Sequence, residues 1–174
     1  MSRLFGPVIQ LGYVVPDIQI ALKHWIEVIG VGPFFLFEHM HPPDAEYRGE
    51  PIDIDISAAF SYCGEEQVEL IQQHNPETSV YRDFIEDYPE GGLHHFAFWT
   101  DGNEALLERL AQDGHDFEVA QRYGTDHSYL STQAIPGTMI QLMHATDAYV
   151  GLFQMIRSAS TDWDGADPIR RLGG

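Results

Sequence analysis

One cysteine, Cys63, stands in a chain of 174 residues. That excludes an internal disulfide and any cysteine-built metal cluster, and Cys63 reads as a half-buried strand residue. Cations are scarce as well: 9 Lys plus Arg face 27 Asp plus Glu, a formal net charge of −18. Such a surface repels nucleic acid and anionic lipid, whose phosphates need a basic face. It also weighs against highly anionic ligands such as coenzyme A thioesters. No apolar run reaches the roughly 20 residues of a membrane span. The opening "MSRLFGPVIQ" lacks the apolar core and cleavage site of a signal peptide, so the expected location is cytoplasmic. What is present is the composition of an ordinary globular domain, 44% hydrophobic and 21% charged, long enough to bury a core.

The chain repeats itself. "PVIQLGYVV" (7–15) has the β-branched and aromatic content of a strand. "PDIQIALKHWIEVIG" (16–30) follows, with Pro-Asp and Gly30 as helix start and stop signals and Ile18, Leu22, Trp25 and Ile29 on one apolar stripe. Three strands come next, "GPFFLFEHMH", "PIDIDISAAFSYC" and "EQVELIQQ", with "HPPDAEYRGE" read as a surface loop between the first two. After a linker with a helical turn or two (75–92), "LHHFAFWT" reads as a strand and "DGNEALLERLAQDG" as a helix. "HDFEVAQRYG", "HSYLSTQAIPG" and "TMIQLMHA" are three further strands. The order of strand, helix and three strands therefore occurs twice, in modules spanning 7–74 and 93–146, and a C-terminal helix and tail follow over 147–174.

Superposing the halves puts Gln10 on His95 and Glu69 on Gln141, four polar residues in first and fourth strands among apolar neighbours. Strand alternation sets Val14, Ile71, Leu93, Trp99, Met139 and Met143 on the same face as these four. It sets Val68, Leu70, Phe96, Phe98, Ile140 and Leu142 on the opposite face, under the helices. The expected fold is α+β: two βαβββ modules whose curved mixed sheets enclose a central cleft, the usual setting of a small-molecule site.

This arrangement resembles the vicinal oxygen chelate superfamily of glyoxalase I, methylmalonyl-CoA epimerase, extradiol dioxygenases and bleomycin-resistance proteins. The resemblance covers residues 7–146. It is carried by "IQLGYVVPDIQIALKHWIEVIGVGPF", "VELIQ", "GGLHHFAFWTD" and "PGTMIQLM", four motifs in order at two-module spacing, and is strongest toward the glyoxalase-like and epimerase-like branch. It implies a divalent cation (Zn, Ni, Co, Mn or Mg) held by Gln10, Glu69, His95 and Gln141, with the second histidine of "GGLHH" as ligand and His94 turned to the helix layer. The cation would act as Lewis acid for an isomerase or lyase acting on a small carbonyl substrate. A homodimer is also implied.

Gln141 departs from the resemblance, because family isomerases carry there a Glu that also shuttles a proton. An amide oxygen can ligate a hard cation but takes up no proton at neutral pH. If proton transfer occurs, another base is needed, and His127 and Tyr123 are candidates beside Gln141 for catalytic roles. Glu38 and His39 are comparable, while Asp53 and Asp55 share a strand face that reads as solvated. His24 reads as surface, His41 as loop and His144 as structural. Val14, Ile71, Trp99, Met139 and Met143 are the expected substrate contacts and make the cleft apolar, suiting a rather hydrophobic ligand. Only one imidazole stands at the four positions, against the two His and one carboxylate of an extradiol iron site. The alternatives are a metal-free protein that sequesters a hydrophobic small molecule, or an enzyme that works through a loop His or Tyr without metal.

Overall fold

The computed structural model describes residues 1–132 and 138–172. The first strand, β1 (Gln10–Val14), leads to helix α1 (Ile18–His24). Asp17 caps α1, its carboxylate accepting from the amides of Gln19 at 2.8 Å and Ile20 at 3.0 Å. A wide π turn over Trp25–Ile29 continues it, and Gly30, at φ 80°, ends the helix in the left-handed region that glycine adopts freely. Strands β2 (Phe34–Met40), β3 (Ala45–Tyr47), β4 (Glu50–Pro51), β5 (Ile56–Cys63) and β6 (Glu66–Gln73) follow, then helix α2 (Val80–Asp87). The second half comprises β7 (Gly92–Thr100), α3 (Asn103–Gln112), β8 (Val119–Tyr123), β9 (His127–Leu130) and β10 (Met139–His144). Helix α4 (Asp147–Ser160) and a short strand β11 (Ile169–Arg171) close the described chain. Residues 133–137 of the expected strand "HSYLSTQAIPG", including the Pro-Gly of "PGTMIQLM", lie outside the described residues.

The fold is α+β, and the two expected sheets are one. Among the described residues eleven strands run in the order β11-β2-β5-β6-β1-β7-β10-β9-β8-β3-β4. The first strand of each half forms the seam, β1 pairing antiparallel with β7. Within each half the first strand runs parallel to the last, β1 beside β6 and β7 beside β10. Ile18 and Leu22 of α1 pack with Val68, Leu70, Phe34 and Leu36. Leu106 and Leu110 of α3 pack with Phe98, Leu130 and Leu142. Each such fully buried aliphatic or aromatic side chain stabilises the fold by about 1.5–3 kcal/mol.

Three expectations need correction. "HPPDAEYRGE" contains strands β3 and β4, and β3 adds to the edge of the second half by pairing with β8, which buries Ala45. Residues 52–55 lie outside β5, so Asp53 and Asp55 do not share a strand face. Cys63 ends β5 and is exposed. The tail has a structural role: β11 pairs parallel with β2, and the Trp163 ring lies against Gly32, where a Cβ would come 2.7 Å from it. Among the described residues no helix is long and apolar enough to cross a membrane.

Candidate active site

Register brings the four matched polar residues together. Gln10 lies opposite Ala97 on β7, and Ala97 opposite Gln141 on β10. Gly12 lies opposite Glu69 on β6 and His95 on β7. Residues paired across neighbouring strands share a face, so Gln10, Glu69, His95 and Gln141 surround a floor made of Gly12 and Ala97. A Cβ on Gly12 would stand 1.9 Å from Cε1 of His95. The imidazole therefore lies across a backbone without a side chain, a close approach that an isolated glycine in a strand can signal.

All four residues are buried, and each has one atom without a hydrogen-bond partner: Gln10 Oε1, Glu69 Oε2, His95 Nε2 and Gln141 Oε1. The remaining donors are committed. Gln10 Nε2 donates to Gln67 Oε1 at 2.7 Å, and Gln141 Nε2 donates to the Tyr129 hydroxyl at 2.8 Å. Orphaned buried polar atoms are rare in proteins and call for an explanation. Four acceptors without a donor make a place for a cation or a proton. His95 Nε2 is 3.2 Å from Glu69 Oε2. Burial pushes Glu69 up to about 7 and holds His95 down to about 3, which favours a protonated carboxyl beside a neutral imidazole. A divalent ion would supply the same charge, and neutral imidazole, carboxylate and amide oxygens form a donor set that suits it.

His94 departs from strict alternation. A register shift between Gly12 and Tyr13 marks a β-bulge in the β1–β7 pairing. Leu93 pairs with Tyr13 and turns to the face of α1, while His94 joins His95 on the site side. The two Nδ1 atoms are 3.0 Å apart. Burial lowers both imidazoles below the ordinary histidine value, so both are neutral and one Nδ1 must donate to the other. With His95 Nδ1 as donor, its Nε2 keeps a lone pair directed at Glu69, the outer-partner arrangement common among ligating histidines.

Beside the four residues opens a cavity of about 610 Å³. Phe37, Met40, Phe60, Tyr149 and Leu152 supply its apolar wall, while Glu69, Gln141, His127 and a group of tyrosines supply the polar part. His127 Nδ1 lies 3.4 Å from Gln141 Nε2. Burial keeps His127 below its ordinary value, with the Glu69 charge opposing, so it is neutral at neutral pH. Tyr123 donates to Tyr81 at 2.9 Å, and Tyr81 and Tyr129 are joined hydroxyl to hydroxyl at 2.7 Å. Because Gln121 Nε2 donates to Tyr123 at 2.7 Å, the chain is oriented. Tyr129 accepts from Tyr81 and from Gln141, and its own O–H is left to donate toward the cavity. Sequence reasoning missed Tyr81 and Tyr129. Tyr129 was within reach of alternation, being two residues from His127.

The five expected substrate contacts do not line this cavity. Val14 and Ile71 are buried in a cluster with Val80, Tyr81 and Phe84 of α2. Trp99 and Met143 are covered by Phe153 of α4, the Trp99 and Phe153 rings lying 4.8 Å apart. Met139 lines a separate, smaller pocket beside α2. The strand pattern placed all five on the correct face, but α2 and α4 then cover both ends of it. Elsewhere, Glu38 pairs with Arg171 and His144 with Asp126, His24 is exposed, and His41 lines the cavity rim.

A βαβββ pattern occurring twice, with four polar residues at matched strand positions beside an apolar cavity, defines a vicinal-oxygen-chelate type of protein. Residues 9–130 match the family described as the Glyoxalase/Bleomycin resistance protein/Dioxygenase superfamily, and the chain belongs to it. Solved structures share the fold at low identity. A hypothetical protein from Bacillus halodurans C-125 matches at TM-score 0.57 and 16% identity, covering 81% of this chain and 95% of its own. Methylmalonyl-CoA epimerase from Mycobacterium tuberculosis matches at 0.56 and 17%, covering 87% and 95%. A variant of 4-hydroxymandelate synthase from Streptomyces coelicolor matches at 0.54 and 16%, covering 81% of this chain and 39% of its own. No functionally curated protein matches the chain.

Proposed function

We propose that this protein is a glyoxalase-like or epimerase-like enzyme, an isomerase or lyase that acts on a small, rather hydrophobic carbonyl compound. In this reading Gln10, Glu69, His95 and Gln141 hold a divalent cation. The observation that carries it is the set of four buried acceptor atoms without partners, on one face beside an apolar cavity. When bound, the cation would polarise the substrate carbonyl as a Lewis acid. His127, neutral and at the cavity wall, is the base that takes a proton from the carbon next to the carbonyl. The Tyr129 hydroxyl, its acceptor capacity filled by Tyr81 and Gln141, donates to an oxygen that gains charge. Gln141 holds the His127 and Tyr129 side of the site in place and moves no proton. A cytoplasmic homodimer belongs to the same proposal.

The 3.2 Å approach of His95 Nε2 to Glu69 Oε2 supports a second reading, in which the site is complete without metal and the protein either sequesters a hydrophobic ligand or works through His127 alone. Metal content of tag-free, dialysed protein separates the two. The first reading expects divalent metal in the wild type and one equivalent less of it in Glu69→Gln/His95→Ala. It also expects exchange of the acidic carbon-bound proton of enolisable carbonyl compounds into deuterated water, abolished by His127→Gln with metal retained. Wild-type protein that carries no more divalent metal than Glu69→Gln/His95→Ala, and gains no more stability from added divalent cations, would leave the second reading.

A further inference from the structure

We propose that His39, Asp55 and His74 form a second divalent-metal site, on the face of the sheet opposite the cavity, for a borderline transition cation such as zinc. The proposal does not depend on a metal at Glu69 and His95. One nitrogen of each imidazole and an oxygen of Asp55 all lie within 4.8 Å of one another. His39 Nδ1 is 3.0 Å from both carboxylate oxygens of Asp55. The His74 ring lies 4.4 Å from the His39 ring, centroid to centroid. Ligand atoms about 2.0–2.1 Å from a tetrahedral zinc stand roughly 3.3 Å apart, so an approach of at most about 1.5 Å, with both imidazoles exposed and free to move, closes the shell. Two imidazoles and one carboxylate select zinc, nickel or copper over magnesium or calcium and leave one position for water.

The backbone is arranged to make this cluster. Plain alternation would send neighbouring residues of β2 to opposite faces, yet Phe37 and Met40, three apart, both line the cavity. A bulge between them (Phe37 pairs with Ala58, Met40 with Ile56) inserts the extra residue, and His39 takes φ 51°. That left-handed conformation is disfavoured by a β-carbon. It brings the imidazole onto Asp55 just before β5, beside His74 just after β6. Ser57, buried in the sheet, accepts from the His39 amide at 3.2 Å and contacts His74 Nε2 at 2.8 Å. That contact holds the His74 ring in the cluster. Asp55 O also accepts from the His74 amide at 2.8 Å. The three ligands therefore come from three strand ends. A cation there would clasp the β2–β5 wall that carries Met40 and His41 to the cavity, and the β6 exit that leads to Tyr81.

Calorimetric titration of zinc into chelator-treated, dialysed protein tests this. The Glu69→Gln/His95→Ala variant is expected to retain one zinc site per chain. Adding His39→Ala/His74→Ala to it is expected to abolish that site, while the urea midpoint without metal stays close to that of the parent. Ser57→Ala in the same background is expected to weaken zinc about 10–100-fold without changing stoichiometry. Absence of zinc binding in Glu69→Gln/His95→Ala, or binding that survives loss of both His39 and His74, overturns the proposal. Failure of the active-site metal reads differently: wild type and Glu69→Gln/His95→Ala would then bind zinc with equal stoichiometry, both losing it with His39 and His74.

Discussion

Replacing Gly12 by alanine tests the arrangement at the centre of the site. The glycine is not required by its backbone conformation, because its φ lies outside the left-handed region. What requires it is His95, whose Cε1, Nε2 and Nδ1 would stand 1.9, 2.2 and 2.4 Å from an added Cβ. Those are clashes with a whole ring, and the ring has nowhere to go. It is fully buried, with Tyr129 5.3 Å and His94 5.2 Å away, centroid to centroid. Overpacking of this kind costs about 1–3 kcal/mol, reduced slightly by the smaller entropy loss of alanine than glycine on folding. His95→Ala alone opens a void and costs about 2–3 kcal/mol. The two effects do not add, since the clash needs both side chains. Gly12→Ala/His95→Ala should be as stable as His95→Ala, or slightly more stable, giving a coupling of about 1–3 kcal/mol in the stabilising direction. Urea denaturation in the presence of chelator, followed by circular dichroism, measures all four corners of the cycle. Additivity within about 0.5 kcal/mol would refute the placement of the imidazole over Gly12 and the site geometry derived from it.

A buried carboxyl raised to about 7 stabilises the metal-free fold while protonated, and that contribution is lost as pH rises from about 4.5 through 7. Wild type should therefore lose about 3 kcal/mol relative to Glu69→Gln between pH 4.5 and 8; a difference independent of pH in chelator-treated protein would show that Glu69 is not held neutral. Phe153→Ala removes the ring that covers Trp99 and should cost about 3–5 kcal/mol, with a red shift in tryptophan emission. Unchanged stability and emission would mean that α4 does not seal that end of the sheet.

Much of the site was legible because strands alternate with period two and the chain repeats. Internal superposition singled out Gln10, Glu69, His95 and Gln141, and the register of β1, β6, β7 and β10 sets them on one face. His127 and Tyr123, put forward only by their place in the chain, stand at the cavity. Alternation misleads where a bulge interrupts it. The bulge that turns His94 inward and the one that turns His39 outward insert a residue that has no counterpart on the partner strand, and a pattern of residue types does not record where a residue goes unpaired.

The amino-acid sequence by itself therefore determined the twice-repeated order of strand, helix and strands, the inner face of β1, β6 and β10 and the identity of the four central side chains, because these depend on local periodicity and internal repetition. Tertiary structure decided which part of the inner face stays open. Val14, Ile71, Trp99 and Met143 have the same apolar character as Phe37, Met40 and Phe60. The linker and C-terminal helices cover the first group and leave the second facing the cavity. Which apolar strand residues meet a ligand depends on where distant segments pack, and the strands alone carry no trace of it.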